Sequence, residues 1–513
     1  MSKNKIIVLS DIHIGDNTPT VWYQKEFHEP YLTTVLDHII QNADSIKELI
    51  LLGDVVDFWT YPPNEKPPSF SQIIDKNPNI FGANGKLSEV LTALEGEVTY
   101  VHGNHDMNVT QEDLNQIQNP NYKIKLSSSD IYFPLGEENK KIVCTHGNRY
   151  TMFNAPDTNT KFNPLPIGHF VTRSISYELQ QHLGEGQSAD DLERQGAPNG
   201  IDLGDLIYSI KEAEHDFSIA DLLLDYITNV TSISESEPIL LSDGQTTTIA
   251  EAKQIYSPLW QEWINKYGGG EDGLLVAIKA AIADANGDYL GWFAQKLALE
   301  CGADLVVMGH THKTISGLEK ALVQYVNSGF NCPSKPDLSK QSPTFVEIDI
   351  DNCQASIFKV VNQNNTYKIE PNHPKETSVI IPGLSQDYSC YIIVDNTNGT
   401  SELERISYSA DKGHYIVEPP AKISPGEVGR FWLQDYPVEL NLENLFRGSQ
   451  GQVSYSSNGQ EITLSYKCPV GFWTKNHCSG ANFTTSTDGN NWGKLNKITH
   501  FGLGHPFFVR FIL

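Results

Sequence analysis

Five short apolar runs constrain the fold of this chain most strongly. They cover residues 6–9, 49–52, 98–101, 141–144 and 305–308, and each is too short to form a helix. Each run is followed within three residues by glycine, aspartate, asparagine or histidine. Runs that are apolar at successive positions indicate strands buried on both faces. Helix-like stretches lie between them at residues 31–40 and 87–94, so the pattern predicts an α/β fold.

Side chains that commonly bind metal ions follow all five predicted strands. The motifs are D-x-H, GDxxD, GNHD, THG and GHTH, and one of them alone is more often a turn or a cap than a metal site. Polar residues just beyond such strands lie along one edge of a sheet, where their side chains meet. The sequence therefore predicts a metal site at this edge, where the motif residues gather: Asp11, His13, Asp54, Asp57, Asn104, His105, Asp106, His146, His310 and His312. Imidazole and carboxylate ligands together suit Mn, Fe or Zn better than Ca.

The order of these motifs resembles that of the calcineurin-like metallophosphoesterases. The resemblance extends from residue 1 to about residue 360, apart from most of a long insertion. It implies two mixed β-sheets in a sandwich flanked by helices, and two divalent transition metal ions, Mn, Fe or Zn. It also implies the ligands: Asp11, His13, Asp54 and His312 for one ion, and Asp54 as a bridge, Asn104, His146 and His310 for the other.

The same resemblance implies hydrolysis of a phosphomonoester or phosphodiester by a hydroxide that bridges the two metals. His105 is expected to face the substrate, where it stabilises or protonates the leaving oxygen. Asp106 is expected to hold the His105 ring in one orientation. Asp57 is expected either to bond a ligand histidine or to cap the next element.

Five residues in or near the motifs bear on the substrate. His105 and Asn148 stand where the lipid-pathway pyrophosphatases of this superfamily usually have arginine and aspartate, so the third motif is of the general type. Arg149 is predicted to clamp a phosphate, with a solvated arginine at a strand end as the alternative. Trp59, with Tyr61 nearby, either stacks on a base or sugar or belongs to the core.

The chain divides into a catalytic domain, residues 1–361, and a carboxy-terminal β-sandwich, residues 378–513. Within the first, residues 149–300 form a predominantly helical insertion, with helical patterns at 203–219, 249–264 and 273–283. The insertion begins just after the THG motif and ends before the GHTH motif, so we expect it to cap the site. Residues 362–377 are polar without apolar periodicity, and this predicts a linker. After it, short alternating runs broken by Asn-Gly, Pro-Gly and Asp-Gly turns predict the sandwich.

The carboxy-terminal region is also similar to aegerolysin-type, toxin-like β-sandwiches that bind lipids. The similarity consists mainly of turn residues, such as Pro425-Gly426-Glu427 and Cys468-Pro469. It implies lipid contact through this region. An accessory sandwich for oligomerisation or substrate delivery is the alternative.

Charge and apolar content exclude several partners. The chain has 37 Lys plus Arg against 63 Asp plus Glu, a net charge of -26, which disfavours nucleic acid and anionic membranes. No apolar run approaches the roughly 18 to 20 residues of a membrane-spanning helix. The first ten residues lack the features of a signal peptide, so we expect a cytoplasmic protein. The sequence leaves the oligomeric state open.

The leading hypothesis is a hydrolase for a phosphate ester. The large cap and the lipid-binding resemblance favour a diester of a small molecule or a lipid-linked substrate. One alternative is a phosphoprotein phosphatase. Another is an inactive scaffold whose lipid-binding or toxin-like tail is the effector, against which the complete set of metal-binding motifs argues.

Overall fold

The fold is taken from a computed structural model that describes most of the chain. The described residues are 3–193, 218–284, 287–316, 318–319, 323–327, 329–338, 340–374, 377–378, 388–435, 448–470, 475–487, 489, 491–493 and 506–513. Of the helical pattern predicted at 203–219, all but the last two residues lie outside these ranges.

Strands occur in both halves of the described chain. They are β1 Lys5–Leu9, β2 Ile46–Leu52, β3 Val98–Val101, β4 Lys125–Leu126, β5 Ile142–Cys144, β6 Ile239–Leu240, β7 Thr246–Thr247, β8 Leu305–Met308, β9 Ile315–Ser316, β10 Leu318–Glu319, β11 Gln324–Asn327, β12 Thr344–Asp349, β13 Gln354–Gln363, β14 Thr366–Asn372, β15 Thr377–Ser378, β16 Cys390–Asp395, β17 Leu403–Lys412, β18 His414–Val417, β19 Lys422–Ile423, β20 Val428–Gln434, β21 Ser449–Ser457, β22 Gln460–Cys468, β23 His477–Ser479, β24 Asn482–Ser486 and β25 Phe507–Ile512.

The α-helices of the described ranges all precede β8. They are α1 Lys25–Gln41, α2 Phe70–Lys76, α3 Pro78–Phe81, α4 Lys86–Ala93, α5 Gln111–Leu114, α6 Ile167–His182, α7 Ile219–Thr231, α8 Ile249–Tyr256, α9 Leu259–Lys266, α10 Gly270–Ala283 and α11 Gly287–Cys301.

Two mixed sheets form the centre of the first half. One has seven strands in the order β14-β13-β12-β1-β2-β3-β4, and the other has four in the order β5-β8-β11-β9. The strands β1, β2 and β3 run parallel to one another, as do β5, β8 and β11. All five strands predicted from the apolar runs are present.

Alternation along β1 shows why its residues are apolar at every position. Ile6 and Val8 pack against the four-stranded sheet, in one cluster with Leu305 and Val307. Ile7 and Leu9 point the other way, into the cluster that includes the buried faces of α1 and α4. Both faces of the strand are buried, as its composition predicts. This α/β arrangement of mixed sheets and helices confirms the predicted fold class.

Residues between β5 and β8 are mainly helical where they are described. The helices α6 to α11 share a large apolar cluster with the outer face of the four-stranded sheet, where Val306 and Met308 point. The pattern at 249–264 is divided into two helices, because Pro258 lacks the N–H that would continue the first one.

The prediction of a linker at 362–377 is wrong for its first part. Residues 362–363 end β13 and residues 366–372 form β14, its antiparallel neighbour at the sheet edge. Asn364 and Asn365 have φ of 54° and 63°, the positive values that a tight hairpin turn requires. With Tyr367 and Ile369 as its large apolar residues, this short edge strand is polar enough to resemble a linker in sequence.

The carboxy-terminal region is rich in strands, as predicted. Its described strands form two five-stranded sheets, β18-β20-β16-β25-β24 and β19-β17-β21-β22-β23. The first sheet packs on α11, where the rings of Trp432 and Trp292 have centroids 5.3 Å apart. Beside them Arg430 Nη2 lies 2.8 Å from Asp304 Oδ1. These contacts join the region to the first half of the chain.

None of the helices among the described residues has the length and apolar character needed to cross a bilayer.

Candidate metal centre

The predicted metal ligands lie in loops that follow parallel strands. Asp11, Asp54 and Asn104 come after β1, β2 and β3, which are neighbours in the larger sheet. His146 and His310 come after β5 and β8, neighbours in the smaller sheet. Because the carboxyl ends of parallel strands meet at one edge, the two sheets bring these loops together.

An unusual backbone conformation marks these loops. Residues other than glycine rarely have positive φ, which costs on the order of 1–3 kcal/mol each. Five predicted ligands have it: Asp11 (57°), His13 (56°), Asp54 (52°), His310 (75°) and His312 (54°). Such strain persists only where the surrounding structure holds it, and it is concentrated here on the side chains that converge.

Two glycines allow the loops after β2 and β3 to touch. A Cβ atom on Gly103 would lie 2.2 Å from Asp54 Oδ1, and one on Gly53 would lie 2.6 Å from the Gly103 Cα atom. The absent side chains leave room for Asp54 Oδ1 to accept a hydrogen bond of 2.8 Å from His105 N. The glycines of GDxxD and GNHD are therefore required by this close approach.

One group of ligand atoms consists of Asp11, His13, Asp54 and His312. One ligand atom from each lies within 4.8 Å of the others. His13 Nε2 is 3.0 Å from His312 Nε2 and 3.8 Å from Asp54 Oδ2. Two imidazole nitrogens and two carboxylates thus face one point, as the resemblance implies.

A second group consists of Asp54, His146 and His310, with Asn104 beside it. His146 Nε2 lies 3.2 Å from Asp54 Oδ2, and His310 Nδ1 lies 3.0 Å from Asn104 Oδ1. Asp54 belongs to both groups. The structure therefore brings all seven predicted ligands together, with one carboxylate between the two groups.

The charges of the site suit metal cations. Burial opposes ionisation of Asp54, yet His146 and His105 hold the pKa of its carboxyl well below the usual range. Burial likewise opposes the charge of His146, but the Asp54 carboxylate outweighs it and raises the pKa of His146 to about 10. Cations bound here would replace these protons. Imidazole nitrogens with carboxylate and amide oxygens fit a pair of divalent transition metals.

Asp57 lies between His13 of the first group and His105. Its Oδ2 lies 2.9 Å from His13 Nδ1 and 3.1 Å from His105 Nδ1. Its Oδ1 accepts hydrogen bonds from Trp59 N at 2.7 Å and Thr60 N at 3.0 Å. Asp57 thus does both things considered for it, since it contacts a predicted ligand histidine and caps the loop that follows.

His105 lies against aromatic rings at the edge of the site. The Trp59 ring stacks on it at a centroid distance of 4.6 Å. Burial opposes its charge, but Asp57 and Asp54 raise the pKa of His105 above its usual value. Trp59 and Tyr61 are each only 1% exposed, so both belong to the core.

The prediction that Asp106 orients His105 is wrong. Asp106 Oδ1 accepts a hydrogen bond from Gly103 N at 2.7 Å, and Oδ2 accepts bonds from Val55 N at 2.8 Å and Tyr100 OH at 2.5 Å. Asp106 therefore ties the GNHD loop to the GDxxD loop. The carboxylate beside His105 Nδ1 belongs to Asp57, whose predicted contact was with a ligand histidine and not with His105.

The structure also argues against Arg149 as a phosphate clamp. Its Nη1 lies 2.5 Å from Asp130 Oδ1, and its guanidinium lies over the Tyr150 ring. The side chain is 37% exposed. The Asp130 carboxylate already offsets the charge that a clamp would use, which corresponds to the solvated alternative.

Two neighbours of the site were missed in the sequence. The half-buried Trp22 ring has its centroid 4.6 Å from that of His13 and 5.2 Å from that of His312. Asp284 Oδ1, at the end of α10, lies 3.5 Å from His310 Nε2. Neither belongs to a motif or a periodic pattern, so only the folded chain reveals them.

Residues 4–199 match the family model described as calcineurin-like phosphoesterase. Among curated proteins, none matches the chain. One similar solved structure is a dimetal phosphatase from Danio rerio, with 13% identity, coverage of 70% of this chain and 96% of that chain, and a TM-score of 0.27. Another is the lipid-binding protein Nakanori, with 11% identity, coverage of 26% and 72%, and a TM-score of 0.18.

Proposed function

We propose that this chain, a metal-dependent phosphoesterase with a calcineurin-like phosphoesterase domain at residues 4–199, hydrolyses a phosphodiester of a small molecule or a lipid-linked substrate. The observation that carries the proposal is the position of Asp54, which belongs to both groups of ligand atoms. A shared carboxylate lets two cations lie close together. Two bound divalent ions would activate water at neutral pH and neutralise charge on the phosphoryl oxygens.

The residues divide into ligands and residues that act on the substrate. We assign Asp11, His13, Asp54 and His312 to one ion, and Asp54, Asn104, His146 and His310 to the other. Asp57 fixes the tautomers of His13 and His105, because a carboxylate facing Nδ1 keeps the proton on that nitrogen. The assigned ions are Mn, Fe or Zn.

His105 donates a proton to the leaving oxygen. It carries a partner carboxylate on Nδ1 and lies beside His13 with a centroid distance of 4.6 Å, so its ring borders the first group of ligands. A positioned imidazolium is worth about 10²- to 10⁴-fold in rate when the leaving group is poor.

The substrate preference follows from charge and shape beside the site. A monoester dianion carries more negative charge than a diester and gains more from a cationic side chain. Arg149, the cation expected to supply it, is paired with Asp130. The half-buried Trp22 ring, 5.4 Å from the His105 ring, offers an apolar face to an organic leaving group. Both features favour the diester.

Hydrolysis of two chromogenic esters tests this proposal. Metal-loaded protein should hydrolyse bis-p-nitrophenyl phosphate with a higher kcat/KM than p-nitrophenyl phosphate. A tenfold preference for the monoester would contradict the diester assignment and support the phosphatase alternative. Absence of hydrolysis with Mn and with Zn would support the inactive scaffold.

Two finer predictions concern the setting of this activity. Lipid contact through the carboxy-terminal region stays a prediction, and cosedimentation of the full chain with neutral and anionic vesicles tests it. A cytoplasmic location also stays a prediction, which fractionation of the source cells tests.

A further inference from the structure

Asp284 lies where the helical insertion meets the candidate metal centre. It follows α10 directly, and its side chain is 10% exposed. Its Oδ1 lies 3.5 Å from His310 Nε2. No motif includes this residue, and its number places it within the insertion, so the contact connects the cap to a predicted ligand.

The two ring nitrogens of His310 face different surroundings. Nδ1 lies 3.0 Å from Asn104 Oδ1, on the side of the second ligand group. Nε2 faces Asp284 Oδ1 and, at 3.4 Å, Thr151 Oγ1. A neutral imidazole that binds metal through Nδ1 must carry its proton on Nε2, where it needs an acceptor.

The Asp284 carboxylate is held in place by neighbours in the cap. Phe153 N donates a hydrogen bond of 2.8 Å to Oδ2, and Asn154 Nδ2 donates one of 2.8 Å to Oδ1. The start of α6 packs on the turn of residues 151–154, since a Cβ atom on Gly168 would lie 2.1 Å from Asn154 Oδ1. A carboxylate fixed from two sides can hold a ring orientation.

Thr151 Oγ1 is slightly nearer to His310 Nε2, at 3.4 Å against 3.5 Å for Asp284 Oδ1, but it carries no charge. Thr151 Oγ1 donates its own hydrogen to Asn148 O at 2.9 Å, so only a lone pair remains for His310. A hydrogen bond from the ring N–H to a neutral hydroxyl is also weaker than one to a carboxylate. Asp284 is therefore the partner expected to matter for metal affinity.

We infer that Asp284 is a positioning residue of the second metal site, through which the cap fixes the tautomer and orientation of His310. The inference rests on the proposed role of His310 as a ligand. In this arrangement the cap supplies a residue that supports a metal ligand, in addition to lying over the site. Changes in the cap that move α10 or the 151–154 turn would then alter metal affinity.

Metal titration of the full chain tests the inference without measuring activity. Asp284→Asn keeps the shape and an oxygen for Phe153 N but removes the charge. Asp157→Asn is the matched control, because Asp157 is another insertion carboxylate that accepts bonds from backbone N–H groups, those of Asn159 and Thr160. Metal-free proteins are titrated with Zn²⁺ by calorimetry in competition with a chelator.

The wild type and the control should each bind two equivalents, and the affinity of each site should be the same in both proteins. In Asp284→Asn one equivalent should bind about 10- to 100-fold more weakly, while the other is unchanged. Two equivalents bound by Asp284→Asn within threefold of wild type would overturn the inference alone. Fewer than two equivalents in the wild type would instead contradict the proposed function.

A second variant decides the matter if Asp284→Asn does not fold. Thr151→Val removes the other acceptor and leaves the carboxylate, so both affinities should stay within threefold of wild type. A tenfold loss at one site would show that the hydroxyl positions His310 and would overturn the assignment to Asp284.

Discussion

Asp57→Asn is the substitution that most directly probes how the site is held. The buried carboxylate accepts a hydrogen bond from His13 Nδ1 through Oδ2, which also lies 3.1 Å from His105 Nδ1, and it accepts from two backbone N–H groups through Oδ1. Asparagine can retain the backbone bonds through its own oxygen. Its NH₂ group then faces the two imidazoles, and it can only donate.

The cost follows from the tautomers. For His13 to accept from the amide, its proton must move to Nε2, the atom that lies 3.0 Å from His312 Nε2 in the first ligand group. Loss of such a partner typically costs about 10- to 100-fold for one histidine. With two histidines affected, kcat/KM should fall by about 10²- to 10⁴-fold, or roughly 3 to 5 kcal/mol of transition-state stabilisation. One metal equivalent should bind about 10- to 100-fold more weakly.

The assay is hydrolysis of bis-p-nitrophenyl phosphate at saturating Mn, with metal titration in parallel. Asp395→Asn is the matched control, since Asp395 is 6% exposed and accepts from Thr397 N two residues on, but lies in the carboxy-terminal region. The control should keep full activity. A kcat/KM for Asp57→Asn within threefold of wild type, in folded protein, would refute the reasoning.

Three further predictions follow from single contacts. His105→Ala should keep both metals and lose about 100-fold or more in turnover of an alkyl ester, with a smaller loss for a nitrophenyl ester; a loss of metal would make His105 a ligand. Burial raises the pKa of Glu48 in the folded protein, so its contribution to stability falls as pH rises through that pKa. Glu48→Gln should therefore raise the melting temperature at pH 8 and do so less near pH 4, and the opposite trend in thermal unfolding would contradict this. Trp432→Ala should lower the free energy of unfolding by about 3–5 kcal/mol and shift unfolding of the catalytic half as well, because its ring packs on Trp292; calorimetry showing an unchanged catalytic transition would contradict this coupling.

The core of the catalytic half could be predicted because its signal is local. Five apolar runs followed by polar motifs correspond to five buried strands and the loops after them. The strand β14 was missed, since this exposed edge strand is polar enough to resemble a linker. An Asn-Asn pair occurs both in linkers and in hairpin turns. The sequence alone therefore does not show that this pair forms a turn between two paired strands.

Roles that depend on side-chain direction could not be predicted. Asp57 and Asp106 both follow a strand closely, and only the fold turns the first towards His105 and the second towards backbone N–H groups. Arg149 donates a hydrogen bond to Asp130, nineteen positions earlier, and the sequence gives no sign of this pairing. Trp22 reaches the site from a loop and Asp284 reaches it from the cap. Neither residue belongs to a sequence motif that would indicate its position.

The central claim is that Asp54 bridges two metal ions, and metal counting tests it most directly. Elemental analysis of the full chain made with ample Mn and Zn should give two equivalents per chain. Asp54→Asn, which removes the anionic oxygen shared by the two groups, should give one or none and lose activity. One equivalent or none in the wild type, or two in the variant, would contradict the account.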